Sequence, residues 1–208
     1  MRITAVNKTQ KGRYAIFVDG EFQFSVDIET VLQYRLATPQ DTDPQALEQI
    51  RIAAEQRYQK ERALSLLGYK SYTKKALAER LARDGDESIA QEVADRMEEL
   101  GLIDDEAYAR RCASDLFSIK GYGARRVRYE LARRGVPREL ADEAVCELAP
   151  EGEETQNAIL ALIERKYERY LGDRKGIDKT VRALARLGYD YDDIRTAIAR
   201  YTDDTEYN

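Results

Sequence analysis

The stretch Arg128-Tyr129-Glu130-Leu131-Ala132-Arg133-Arg134-Gly135 decides the fold, because the chain writes it three times. Ala78-Glu79-Arg80-Leu81-Ala82-Arg83-Asp84-Gly85 comes before it, and Val181-Arg182-Ala183-Leu184-Ala185-Arg186-Leu187-Gly188 after it. Each copy places Leu four residues before Gly, Ala next, and Arg two residues before Gly. After each glycine, apolar residues recur at helical spacing: Ile89, Val93 and Met97, then Leu140, Ala144 and Leu148, then Ile194, Ile198 and Tyr201. A longer periodic segment precedes each copy, near residues 58–67, 106–119 and 155–171. The unit is therefore three helices, with its marker glycines 50 and 53 residues apart. Gly85, Gly135 and Gly188 are predicted to end helices in the left-handed conformation. The expected fold is mainly α: three tandem three-helix repeats, a nine-helix array that is elongated or curved, with each unit leaning on its neighbours.

The first 27 residues have a different grammar. Ile3, Ala5 and Val6 precede Tyr14-Ala15-Ile16-Phe17-Val18, a run of strand formers. Asp19-Gly20 separates this run from Phe22, Phe24 and Val26, which alternate. Asp-Gly between two such runs predicts a two-residue hairpin, because a type I′ turn needs positive φ. The reading is a small three-stranded sheet over residues 2–27 that caps the helices. Val31, Leu32, Tyr34 and Leu36 predict a short helix, and residues 38–42 a turn. Asp43-Pro44 reads as an N-cap with proline at the first helical position, opening a helix to about Leu67 that Gly68 stops. The predicted domains are a β module with its short helix over 1–42, the first helical unit with its linking helix over 43–104, the second over 105–150, and the third over 151–203. An acidic tail occupies 204–208.

Composition excludes much chemistry. The 208 residues contain no histidine, so His-based triads, general bases and metal sites are absent. Gly121-Tyr122-Gly123 lacks the third glycine of a dinucleotide fingerprint and follows a helix, and no phosphate-binding loop motif occurs. Asp104-Asp105-Glu106 reads as a helix start, with Asp104 as cap and the next two carboxylates at the positive end of the helix, not as a metal site. Cys112 and Cys146 show no CxxC or zinc spacing and read as buried, inert thiols. The longest apolar run, residues 158–163, falls far short of the ~20 needed to cross a membrane. No leader segment is visible, so the expectation is a cytoplasmic monomer with no cofactor, no metal and no catalytic residue.

Charge is more informative. The chain carries −5 in all. Residues 107–138 nonetheless hold nine cations (Arg110, Arg111, Lys120, Arg125, Arg126, Arg128, Arg133, Arg134 and Arg138) against Asp115 and Glu130 only, a net of +7. Eight of the nine are arginines, which suit bidentate contact with phosphate or carboxylate. Tyr122 and Tyr129 interleave with them. Helical spacing groups Arg126, Arg133 and Arg134 near one face, while Val127 and Leu131 turn inward. Such a segment is either a solvated face or a contact stripe for phosphate or an acidic protein surface.

Two stretches also carry a resemblance. Gly101-Leu102-Ile103-Asp104-Asp105-Glu106-Ala107-Tyr108-Ala109 is one, and Lys120-Gly121-Tyr122-Gly123-Ala124-Arg125-Arg126-Val127-Arg128-Tyr129-Glu130-Leu131, with Arg134-Gly135-Val136, is the other. Both resemble the most recognisable segments of the RecX regulatory proteins, closely over about residues 55–203 and loosely before them. The first unit departs from this pattern, with Ser71-Tyr72-Thr73 where the second has Gly-Tyr-Gly, and the third has Lys175-Gly176-Ile177. The resemblance implies a protein that binds the RecA recombinase and the RecA–DNA filament. Such a protein limits the filament's ATPase, strand exchange and SOS co-protease activity without doing chemistry itself. The +7 segment and the resemblance together point to contact through Arg110, Arg111, Lys120, Tyr122, Arg125, Arg126, Arg128, Arg133 and Arg134, with weak direct DNA contact as an accompaniment. Arg125, Arg126, Arg133 and Arg134 form the expected principal stripe, and Tyr122 positions the turn before it. Two rival readings remain: a DNA-binding regulator, from the helix-turn-helix look of residues 131–145, and a helical-repeat interaction scaffold.

Overall fold

The computed structural model describes residues 1–10 and 12–206. Of the predicted acidic tail, residues 207–208 and the side chains of 204–206 lie outside that description. The chain forms two compact units, one up to Ile103 and one from Asp104 onward.

The first unit opens with strands β1 (Arg2–Lys8), β2 (Tyr14–Val18) and β3 (Glu21–Val26). Asp19 and Gly20 both take positive φ, 52° and 89°, as a type I′ turn requires. The sheet has four strands, not three. The segment read as a turn over 38–42 contains a two-residue strand, β4 (Gln40–Asp41), which pairs antiparallel with Arg2 and Ile3 and gives the order β3-β2-β1-β4. Two residues are too few to show an alternating pattern, so no sequence signal marked this edge.

Asp27 caps the short helix α1 (Ile28–Gln33), its Oδ1 accepting the Thr30 N–H at 2.8 Å. Asp43 caps α2 (Pro44–Tyr69), with proline at the start as expected. Gly68 does not stop α2, which runs on to Tyr69. This helix serves two cores. Leu47, Ile50 and Ala54 close one against Ile3, Ile16, Val18 and Val26 of the sheet. Ala63 joins the other, with Leu77 and Leu81 of α3 (Lys74–Ala82) and Ile89, Val93 and Met97 of α4 (Glu87–Glu99).

Gly85, between α3 and α4, is not left-handed. Its role is clearance: a Cβ there would sit 1.6 Å from Nε2 of the fully buried Gln59. The first copy of the repeat thus keeps its glycine for space, whereas Gly135 and Gly188 take φ of 84° and 98° as predicted.

The second unit contains α5 (Asp105–Ser118), α6 (Ala124–Arg133) and α7 (Arg138–Leu148) around one core. It continues with α8 (Glu153–Leu162), α9 (Arg174–Arg186) and α10 (Tyr191–Glu206) around another. Val127 and Leu131 of α6 are fully buried, as is Leu184 of α9. Asp104 caps α5 by accepting the Ala107 N–H at 2.8 Å. The expected helix over 155–171 is not continuous α. It passes after Leu162 into a π-helical turn (Ile163–Tyr167) and a 3₁₀ turn (Glu168–Tyr170), and Tyr167 and Leu171, at the ends of these two turns, pack onto the Ile163 cluster. The architecture is the expected set of three three-helix repeats plus the short α1 and a small antiparallel sheet.

Candidate functional site

Two glycines before α6 explain how that helix is held. Gly123 stands at its N-cap position and has no side chain to cap with. Its own N–H donates instead to the Leu187 carbonyl at 2.8 Å, and the Arg125 N–H donates to the Gly188 carbonyl at 3.3 Å. The amino end of α6, where unsatisfied N–H groups carry partial positive charge, therefore rests on the carbonyl end of α9, where the dipole is negative. The approach leaves no room for a Cβ. One on Gly123 would lie 2.4 Å from the Gly188 carbonyl, and one on Gly188 would lie 2.3 Å from the Arg126 nitrogen. Tyr189 adds a bond by donating its hydroxyl to the Gly121 carbonyl at 3.2 Å, and burial raises the pKa of its phenol, which keeps it a donor. The Gly-Tyr-Gly stretch is a joint between consecutive repeats.

The arginines of α6 converge inward more than their spacing suggested. Glu130, whose side chain is 6% exposed, is clamped by three of them. Its Oε1 accepts from Arg126 at 2.6 Å, and its Oε2 lies 3.0 Å from Arg134 Nη1 and 3.3 Å from Arg133 Nη2. Arg134 Nη1 also donates to the Glu130 carbonyl at 2.8 Å. The Arg126 guanidinium carbon stands 5.6 Å from the Tyr122 ring centroid and 5.1 Å from that of Tyr129, within cation–π range. Arg126 and Arg134 are only 37% and 33% exposed, so they are not the free surface cations that the sequence implied.

Most of the remaining predicted residues are also paired. Arg110 bonds Glu147 at 2.8 Å and Glu106 at 2.7 Å. Arg128 and Arg138 share Asp142, at 2.8 and 3.6 Å. Arg125 lies 3.7 Å from Asp190. Arg111 donates to the Ala107 carbonyl on its own helix, and Lys120 is exposed. Among the described residues neither Arg111 nor Lys120 has a carboxylate partner. The excess of +7 counted over 107–138 is thus drawn down by Glu106, Asp142, Glu147 and Asp190, all outside that window or on another helix. Sequence reasoning missed the Glu130 clamp, although its signal was present: Arg126 and Arg134 stand four residues to either side.

Cys112 is half-buried, and burial pushes its thiol above the usual range. Cys146 is exposed, contrary to expectation, because it falls on the outer face of α7 beside Glu147. No group of three or more His, Cys, Asp or Glu among the described residues could hold a metal ion. No helix among them is long and apolar enough to cross a membrane.

Fold and site together define a tandem three-helix repeat protein headed by a small antiparallel sheet. Family models match in three places: "Regulatory protein RecX N-terminal domain" over residues 1–43, "RecX, second three-helix domain" over 104–145, and "RecX, third three-helix domain" over 153–198. A Regulatory protein RecX from Lacticaseibacillus paracasei is 31% identical over 95% of this chain and 82% of its own. One from Clostridioides difficile is 28% identical over 97% and 95%. A crystal structure of a regulatory protein RecX superposes with a TM-score of 0.68, at 24% identity, over 94% of this chain and 98% of that one. The chain belongs to the RecX family of regulatory proteins.

Proposed function

We propose that the protein binds the RecA recombinase on its DNA filament in the cytoplasm and restrains the filament's ATPase, strand exchange and SOS co-protease activity, acting as a ligand and not as an enzyme. Family membership carries this reading, supported by a repeat architecture in which several modest contacts act together through effective concentration. The rival reading, a helix-turn-helix DNA regulator, has α7 as its recognition helix. That helix exposes Glu139 and Glu143 one turn apart, carboxylates without an ion pair among the described residues, which a phosphate-lined groove repels.

Within the second repeat, Arg111 and Lys120 have no carboxylate partner among the described residues and Arg125 has only the distant Asp190, so these three are the cations readiest to change partners, whereas Arg126 and Arg134 are half-buried on Glu130. The test is inhibition of RecA's DNA-dependent ATPase by the triple variant Arg111→Glu, Lys120→Glu, Arg125→Glu. A fall in potency of severalfold or more, with unchanged helical content, is expected. A folded triple variant that inhibits as well as the parent would remove this stripe from the contact surface.

A further inference from the structure

Aligning the repeats on Gly135 and Gly188 sets Arg126 against Lys179, Arg133 against Arg186, and Glu130 against Ala183. The third repeat keeps two of the clamp's cations and lacks the carboxylate they would hold. Where that carboxylate would lie there is an open recess of about 220 Å³, lined by Tyr167, Tyr170, Lys179, Ala183 and Arg186. Along the same helix, Lys175, Lys179, Arg182 and Arg186 also line a shallow groove of about 250 Å³, with Asp178 its one carboxylate-bearing residue. All four cations are exposed, and among the described residues none makes an ion pair. The contacts they do make are weak: Lys179 Nζ lies 4.7 Å from the Tyr170 ring centroid, and Arg186 Nε donates to the Arg182 carbonyl at 3.3 Å.

We infer that this face of α9 is a phosphate seat, in which a backbone phosphate of duplex DNA takes the place that Glu130 fills inside α6. Three observations select that occupant. The second repeat shows what this position does with an anion when the chain supplies one: cations from successive turns close on it. The cations on α9 run at i, i+4, i+7 and i+11, a row of roughly 16 Å at 1.5 Å per residue, which suits a linear polyanion better than a single small one. Duplex DNA carries a charge about every 1.7 Å. The Tyr170 ring is already engaged by Lys179 and by Arg169 at 4.8 Å, so it offers no vacant platform for the base stacking on which single-strand binders rely. Nothing in the row reads base edges, so the contact is independent of sequence. It also does not require RecA.

The decisive variant is Ala183→Glu, which installs the missing internal carboxylate on a helix that tolerates it. Gln45→Glu, at an exposed position of α2, makes the same one-unit charge change in the other compact unit. Full-length protein would be titrated against a labelled random-sequence duplex, the matching single strand and polyglutamate, at several salt concentrations. The parent and Gln45→Glu are expected to bind duplex tightest, with affinity falling steeply as salt rises. Ala183→Glu is expected to lose tenfold or more while keeping its helical content. Lys175→Gln, Lys179→Gln and Arg182→Gln together are expected to flatten the slope of log affinity against log salt by about 2.7, at about 0.9 per phosphate contact. Should Ala183→Glu fail to fold, that triple variant carries the test alone. Duplex binding unaltered in both variants overturns the proposal. So does tighter binding of polyglutamate, which would assign the face to an acidic protein, or of the single strand.

Discussion

Helices α6 and α9 hold equivalent places in successive repeats and bury equivalent leucines, Leu131 and Leu184, yet they handle charge in opposite ways. In α6 the arginines are spent on carboxylates of the same compact unit: Glu130, Asp142 and Asp190. In α9 the cations make no ion pair among the described residues, and the helix starts a turn earlier relative to the repeat glycine, which adds Arg174 and Lys175. The lesson is that a count of basic residues locates charge, whereas the positions of the carboxylates decide whether that charge serves the fold or a partner. The arginine-dense segment is in good part internal wiring, and among the described residues the less conspicuous helix carries cations that make no ion pair.

The largest effect is expected at the joint between the two helices. Gly188→Val puts a branched side chain at φ 98° and against the backbone of Arg126. Backbone strain and overpacking together are expected to cost about 4 kcal/mol in denaturant unfolding. A loss below about 1 kcal/mol would show that α6 and α9 are not rigidly coupled and need not be compared as partners. Next comes the clamp. Replacing Arg126, Arg133 and Arg134 with Ala leaves Glu130 buried and uncompensated, with an expected loss of about 3 kcal/mol. Adding Glu130→Leu to that background is expected to recover much of it, and an unchanged midpoint in the triple variant would return those arginines to the free surface. The smallest effect is expected on α9, where changing Lys175, Lys179 and Arg182 to Gln should move stability by no more than about 0.5 kcal/mol, because no buried group depends on them. A loss there as large as in α6 would erase the distinction.

Much of this architecture was legible in the residues. The Asp19-Gly20 hairpin, the Asp43-Pro44 and Asp104 helix starts and the thrice-repeated Leu-x-x-x-Gly signal each rest on local chemistry, and local chemistry is what a sequence displays. What escaped reading depends on distant neighbours. Gly85 looked like its two counterparts, but its reason is Gln59, 26 positions earlier on α2. The Gly-Tyr-Gly stretch made sense only once the carbonyls of Leu187 and Gly188 stood against it. The basic stripe was legible as composition, but the pairing of Arg128 with Asp142 and of Arg110 with Glu147 spans helices, and no count along the chain reveals it.

Repeat arrays ordinarily unfold piecemeal, because each unit's stability is nearly its own plus a boundary term. Helix α2 makes an exception of the amino-terminal unit. One uninterrupted ladder of backbone bonds carries Leu47, Ile50 and Ala54 into the sheet's core and Ala63 into the core of the first repeat. Melting either core frays a helix that the other needs, so sheet and first repeat are tied into one cooperative block. Amide exchange along α2 would then report a single opening free energy from Leu47 to Ala63, and a fragment lacking the sheet would expose three apolar side chains on a helix it still has to keep.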